Sequence, residues 1–267
     1  MIKTIFKNKI TYLVLLSFGI LLLWWFEILF KGVREQQENY LFGFAYAGVA
    51  LIGGINGLYI SKRWGGWKSL VGKGIIFFSL GLLGEFFGQT AWSYYNVIAK
   101  LAVPYPSIAD IGYFSIIPFY SLGMICFARA AGAKFTLKTM KGKSIAIIIP
   151  VIMVTVSYFL FLRNIKDTFT LVNALTVFLD YGYPVGEAIT ISIALTTYLL
   201  SRKLLGGKMK NRILFLIFAL IAQYITDTTF LYQATVGTYY NAGIVDLMYL
   251  SSFAIMSLGL ISLTSYE

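Results

Sequence analysis

The chain has 267 residues: 58% are hydrophobic, 17% aromatic and 12% charged, with 22 Lys and Arg against 11 Asp and Glu. A soluble domain carries about 25% charged residues, so this composition indicates an integral membrane protein and excludes disorder. The absence of His excludes a Ser-His-Asp triad, a His-ligated metal or haem and a phosphohistidine relay, and the lone Cys126 excludes an internal disulfide and a CxxC redox or zinc site.

A helix that crosses a bilayer needs about 20 mostly apolar residues. Eight such stretches follow one another, at 10–30, 40–60, 74–96, 109–128, 144–162, 169–200, 213–233 and 242–264. The predicted fold class is therefore an all-α, multi-pass protein of the cell membrane. No polar segment is long enough for a soluble domain, which implies one polytopic domain over 1–267. Lys3, Lys7 and Lys9 precede the first stretch as they would a signal peptide. Its apolar run is too long for that, and no small-x-small cleavage pattern follows Phe30.

Basic residues alternate between the two sides. The N-terminus and the loops after helices two, four and six hold 17 of the 22; the other side holds Lys31, Arg34, Lys100, Arg163 and Lys166. The positive-inside rule then places both termini in the cytoplasm. The same rule accounts for the net charge of +11, so nucleic acid is not an expected partner, whereas membrane lipid is.

Asp110, Tyr113, Ser121, Leu122 and Gly123 form the pattern D-x-x-Y-x7-S-L-G, and Asp246, Tyr249, Ser257, Leu258 and Gly259 repeat it at the same spacing. A third copy, Asp180 and Tyr183, lacks the S-L-G. All three lie on helices that descend from the outer face. This predicts hairpins repeated in parallel at 74–128, 144–200 and 213–264, with helices one and two at 10–60 added in front. Positions i and i+3 share a helix face, and an acid near a helix N-terminus meets the positive end of its dipole. Ser107 and Asp110 also read as a capping box, so a cap and a ligand site both fit Asp110. Asp246 fits an interface position as well as a site. Asp180 is expected about ten residues into its helix, roughly 15 Å deep.

Seven acids, Glu27, Glu85, Asp110, Asp180, Glu187, Asp227 and Asp246, fall within the stretches or at their ends, and no Lys or Arg lies inside any of them. A carboxylate at the bilayer centre costs about 2.5–3.5 kcal/mol and normally faces the protein interior. Without bases, the options are protonation, hydrogen bonds to polar side chains, or a bound cation. Around these acids stand Gln89, Trp92, Tyr94, Tyr95, Tyr105, Tyr113, Gln223, Tyr224, Tyr232, Tyr239, Tyr240 and Tyr249. An interfacial aromatic belt explains such rings, and so does a site for an organic cation. Helix six is densest, with Asp180 and Glu187 seven apart on one face and Gly182, Pro184 and Gly186 between them. Pro184 removes a backbone hydrogen bond, and the glycines allow close helix approach. A broken helix at a site and a plain packing kink both fit. Gly53-Gly54 and Gly65-Gly66 lack phosphate-loop spacing and read as close packing and a loop.

The run Pro104-Tyr105-Pro106-Ser107-Ile108-Ala109-Asp110 to Tyr113 resembles the P-x-P-S-x-A-D-x-x-Y signature of the multi-helix membrane sensor regions at the N-terminus of prokaryotic diguanylate cyclases and sensor histidine kinases. Tyr183-Pro184-x-x-Glu187 is similar to a Y-P-x-x-D element there, with Glu in place of Asp. The segment Asp227 to Tyr249 resembles the D-x-x-(Y/W) element that closes the region. The likeness covers about residues 80–260 and implies a sensor role. In that family an output domain follows the last helix; here the sequence ends at Glu267, so the resemblance implies either action through a separate cytoplasmic signalling partner or a different job.

The leading expectation is a sensor or receptor-like module whose outward-facing acidic, Tyr-rich cavity binds a small ligand, a cation or protons. Its predicted ligand-binding residues are Glu85, Asp110, Tyr113, Asp180, Tyr183, Glu187, Asp227, Asp246 and Tyr249. The alternative is a secondary transporter or channel for a cation, proton or amine, although the inner halves of helices four, seven and eight are almost free of ionisable residues. An enzyme is least favoured. The D-x-x-D-G-x-x-A-R pattern of phosphatidyl-alcohol transferases and the Asp-rich motifs of prenyl transferases are absent, and no Lys lies in a span to hold a Schiff base. No catalytic residue, metal or cofactor is assigned.

Overall fold

Strong helix-start and helix-stop signals bound the apolar stretches. A computed structural model describes residues 2–133, 137–165, 173–201 and 207–264. A short helix, Ile2–Lys7, precedes α1 (Lys9–Lys31), where Asn8 accepts from the Ile10 N–H at the start and Gly32, at φ 65°, ends the helix in the left-handed conformation. Then follow α2 (Gln37–Arg63), α3 (Leu70–Ser93), α4 (Ala109–Ala130), α5 (Met140–Leu160), α6 (Ala174–Ser201), α7 (Gly207–Thr235) and α8 (Ile244–Ser262). Ser69 and Thr139 cap α3 and α5 by accepting from Gly72 and Gly142 N–H groups, at 2.8 and 3.0 Å. One turn of π-helix, Tyr94–Ala99, prolongs α3. Eight helices are long and apolar enough to cross a membrane, and the described residues contain no strand. The chain is a multi-pass, all-α protein of the cell membrane.

Helices α2, α3, α4, α6, α7 and α8 form a ring in that order, with α8 closing back on α2. Outside it, α1 packs on α2 and α8, and α5 packs on α6. Ile147, Val151, Ile152, Tyr158 and Phe159 of α5 remain exposed, a lipid-facing surface. Asn8 Nδ2 donates to Thr264 Oγ1 at 3.3 Å, and Trp64 Nε1 to the Leu263 carbonyl at 2.7 Å. Both ends of the described chain and the basic α2–α3 connection therefore share one end of the bundle.

Lipid is as apolar as leucine, so helices in a membrane associate through close packing. The α3–α4 pair achieves this with a ladder. Gly74, Gly81 and Gly88 recur every seven residues on α3, and Phe127, Tyr120 and Tyr113 recur every seven on the antiparallel α4. Each ring lies over one glycine: a Cβ on Gly88 would stand 2.6 Å from Tyr113, one on Gly74 3.0 Å from Phe127, and one on Gly81 would overlap Tyr120. Gly53 and Gly54 serve the same purpose on α2, against Ser257 and Leu83, as expected from the sequence. Gly182 and Gly186 admit Phe114 and Ile117 of α4.

One of two open alternatives drops out, and one expectation changes. Helix α6 is not broken at Pro184; it runs as one helix from Ala174 to Ser201. Ser157 Oγ of α5 donates to the Pro184 carbonyl at 2.9 Å, which ties α5 to α6 at this point. The predicted start of that helix at 169 lies outside the described residues. With the described helix beginning at Ala174, Asp180 sits in its second turn and is only half-buried, nearer the end of the bundle than ten residues of helix would put it.

Candidate functional site

The ring encloses a cavity of about 420 Å³ at the end away from the basic loops. Its mouth is built by the 103–107 turn. Ser107 N–H donates to Asp110 Oδ2 at 2.7 Å, and Ser107 Oγ donates to the same oxygen at 3.3 Å. That is the expected cap. The other oxygen, Oδ1, accepts from the Tyr183 hydroxyl of α6 at 2.8 Å. Asp110 thus caps α4 and ties it to α6 at once. Across the mouth, the Tyr105 hydroxyl donates to Asp180 Oδ1 at 2.7 Å.

The floor lies about two helical turns deeper. Gln223 of α7 donates its amide to Glu85 Oε1 of α3 at 2.7 Å and to both oxygens of Asp227 at 3.1 Å. Ser252 of α8 donates to Gln223 Oε1 at 2.5 Å, and the Tyr249 hydroxyl to Asp227 Oδ1 at 2.9 Å. One amide therefore ties α3, α7 and α8 together through two carboxyl groups. The Gln223–Asp227 spacing of four puts both on one face of α7. Glu187 of α6 completes the floor. It is 7% exposed, lines the cavity and makes no hydrogen bond to any described residue. Gln89, 5% exposed, accepts from the Tyr113 hydroxyl at 2.5 Å, while its Nε2 has no partner among the described residues.

One wall is aromatic. Trp92, Tyr239, Phe230, Tyr249, Phe253 and Tyr46 contact one another in series, with ring centroids 5.0–6.5 Å apart. Beneath the floor no described carboxyl or amide of α3, α4, α6, α7 or α8 is buried, and the polar groups are hydroxyls such as Ser79, Ser121, Thr190, Ser192 and Ser257, which bond to one another or to helix carbonyls. Phe78 and Leu82 of α3, Tyr120 and Met124 of α4, Leu216 and Leu220 of α7, and Met256 and Leu260 of α8 are buried there. Phe78 packs on Tyr120 and Phe127, at 5.4 and 5.6 Å between centroids.

Of the residues singled out from the sequence, Glu85, Asp110, Tyr113, Asp180, Tyr183, Glu187, Asp227 and Tyr249 line this cavity. Asp246 does not. It is fully buried behind the 239–243 turn, accepting from the Ala242 N–H at 2.7 Å and the Tyr239 hydroxyl at 3.1 Å. Glu27 stays outside as well, paired at the surface with Lys31 at 2.8 Å. The rings divide: Tyr94 and Tyr232 are exposed, as a belt requires, whereas Tyr113, Tyr239 and Tyr249 face inward. Tyr46, Ser252, Phe230 and Phe253 were not singled out beforehand. Tyr46 carried a signal, a hydroxyl in the middle of an apolar helix; Phe230 and Phe253 carried none.

The ion pairs among the described residues are those of Lys31 with Glu27 and Glu38. No Lys or Arg pairs with Glu85, Glu187 or Asp227 there. No three acidic or thiol side chains among the described residues converge as a metal-binding set. Chemically, the site offers buried carboxyl acceptors and aromatic faces. Comparison of the chain with known protein families, with curated proteins and with solved structures gives no match.

Proposed function

We propose that this protein is a membrane sensor or receptor-like module that takes a small ligand, a cation or protons into the acidic, Tyr-rich cavity from the side opposite the basic loops. The observation that carries this reading is the dead end. The acids and amides of the ring lie in its outer half, and below them lies a plug dominated by buried apolar side chains, whose few hydroxyls mostly bond to one another or to helix carbonyls. A carrier or channel needs a polar route to the other face, so the plug favours reception over passage. The likeness of the Pro104–Tyr113 run to bacterial sensor regions agrees with it. A signal would run along α6, because Glu187 is the one floor acid outside the hydrogen-bonded α3–α7–α8 unit. Drawing α6 toward that unit would shift its far end, which leads into the basic 202–212 segment, where a separate signalling partner would dock.

Two measurements on the full chain in proteoliposomes test this. Methylammonium uptake and proton flux, followed with an entrapped pH dye, are expected to match empty vesicles. Hydrogen exchange at the inner ends of α4 and α6 is expected to change on acidification or on adding organic amines. Flux above the empty-vesicle level makes the protein a carrier and overturns the reading. Inner ends that ignore every addition overturn it equally.

A further inference from the structure

We infer that the cavity is a site for a singly charged organic ammonium ion, seated on Glu187 with its apolar body against the aromatic wall. This deepens the receptor reading and rests on it. Three observations converge. Glu187 is more than nine-tenths buried, lines the cavity and has no hydrogen-bond partner among the described residues. Burying a carboxyl group without a partner is costly, so the position makes physical sense when something in the cavity satisfies it. Glu85 and Asp227 beside it already share the Gln223 amide, and Tyr249 donates to Asp227, which leaves Glu187 as the floor acid with both oxygens unbonded among the described residues. The series of rings from Trp92 to Tyr46 presents aromatic faces, which attract a cation once water is displaced.

The other ligand classes fit less well. An anion would meet three carboxyl groups and no base. A divalent metal needs several converging acidic ligands, and none of the described residues supply such a set. A proton would satisfy Glu187, yet it leaves a space of about 420 Å³ and an aromatic wall unused. That volume suits a small organic molecule.

The test is ligand-induced thermal stabilisation of the full chain in detergent, at constant ionic strength. The probes are phenethylammonium, its neutral counterpart 2-phenylethanol, sodium and magnesium. Phenethylammonium is expected to raise Tm in a saturable way, and the other three are not. Because Glu187 bonds to no described residue and its burial is costly, Glu187→Gln is expected to leave the ligand-free Tm no lower than that of the wild type. It should weaken phenethylammonium binding about tenfold or more, the size expected for losing one charge-assisted contact. Equal stabilisation by 2-phenylethanol, or equal binding by Glu187→Gln, overturns the inference. So does the absence of any ammonium response. A Tm that then still responds to pH or to a metal ion removes the ligand class and leaves the receptor reading standing. A flat response to every probe, together with unresponsive inner ends, removes both.

Discussion

The two full copies of the D-x-x-Y pattern do the same local chemistry in opposite surroundings. In each, one aspartate oxygen closes the preceding loop, Asp110 through the Ser107 N–H and Asp246 through the Ala242 N–H, both at 2.7 Å. In each, the other oxygen accepts from a tyrosine, Tyr183 or Tyr239. In each, the tyrosine three residues on donates to the preceding helix of its hairpin, Tyr113 to Gln89 and Tyr249 to Asp227. What differs is the cover. Helix α1 and the 33–39 segment lie over the second copy: Trp25 Nε1 donates to the Gly243 carbonyl at 3.2 Å, Asn39 Nδ2 to the Asn241 carbonyl at 3.1 Å, and Arg34 sits 4.4 Å above the Tyr240 ring. Among the described residues nothing comparable covers the first copy, and Asp110 faces the cavity while Asp246 is sealed. A motif sets what a side chain can bond to, and its neighbours decide whether a ligand can reach it.

The sharpest way to break this comparison is to remove both aspartates in turn. Asp246→Ala leaves two buried donors without an acceptor and is expected to cost about 2–4 kcal/mol. Asp110→Ala removes a half-exposed cap and is expected to cost about 0.5–2 kcal/mol. Unfolding of both variants in the same detergent measures the gap; equal losses would mean that the cover does not distinguish the copies.

The tyrosines come next. Tyr249→Phe takes a donor from the Asp227 carboxyl group and is expected to cost about 1.5–3 kcal/mol, against about 0.5–1.5 kcal/mol for Tyr113→Phe, whose acceptor is a neutral amide. The same unfolding series reads both.

The glycines separate the copies more finely. A Cβ at Gly123 would stand 2.5 Å from the Phe78 ring, which is held by two other rings. Gly123→Ala is therefore expected to cost about 1–3 kcal/mol by overpacking. At Gly259 the nearest atom is the end of the Leu216 side chain, 2.9 Å away, and a small shift relieves it. Gly259→Ala should be milder, and Gly19→Ala, with nothing within 4 Å, should be neutral or slightly stabilising.

The smallest effect belongs to the cover itself. Trp25→Phe loses one hydrogen bond, about 0.5–1.5 kcal/mol, and keeps most of the packing. Hydrogen exchange should quicken in 239–246 and stay unchanged in 103–110. Equal quickening in both segments would show that α1 does not cover the second copy selectively.

The sequence by itself determined the helices and the chemistry available to them. Long apolar runs need no tertiary partner to be helical in lipid, because the bilayer leaves every backbone group to be satisfied within its own segment. Acids without bases, tyrosines three residues after acids and the Ser107–Asp110 cap were likewise legible, since they depend on spacing along one helix. The glycine and aromatic ladder between α3 and α4 was also present as two seven-residue periods, and its meaning appears only when the helices are seen to run antiparallel in contact.

Tertiary structure alone decided which side chains meet. Spacing within α6 put Asp180 and Glu187 on one face, but only the order of helices in the ring brings Glu187 near Glu85 and Asp227 and lays α1 over Asp246. Phe230 and Phe253 look like any core residue until α7 and α8 turn them to a common space. Contacts between helices arise from packing surfaces hundreds of residues apart in the chain or only twenty, as Ser257 on Gly53 and Tyr249 on Asp227 show. No local period encodes them.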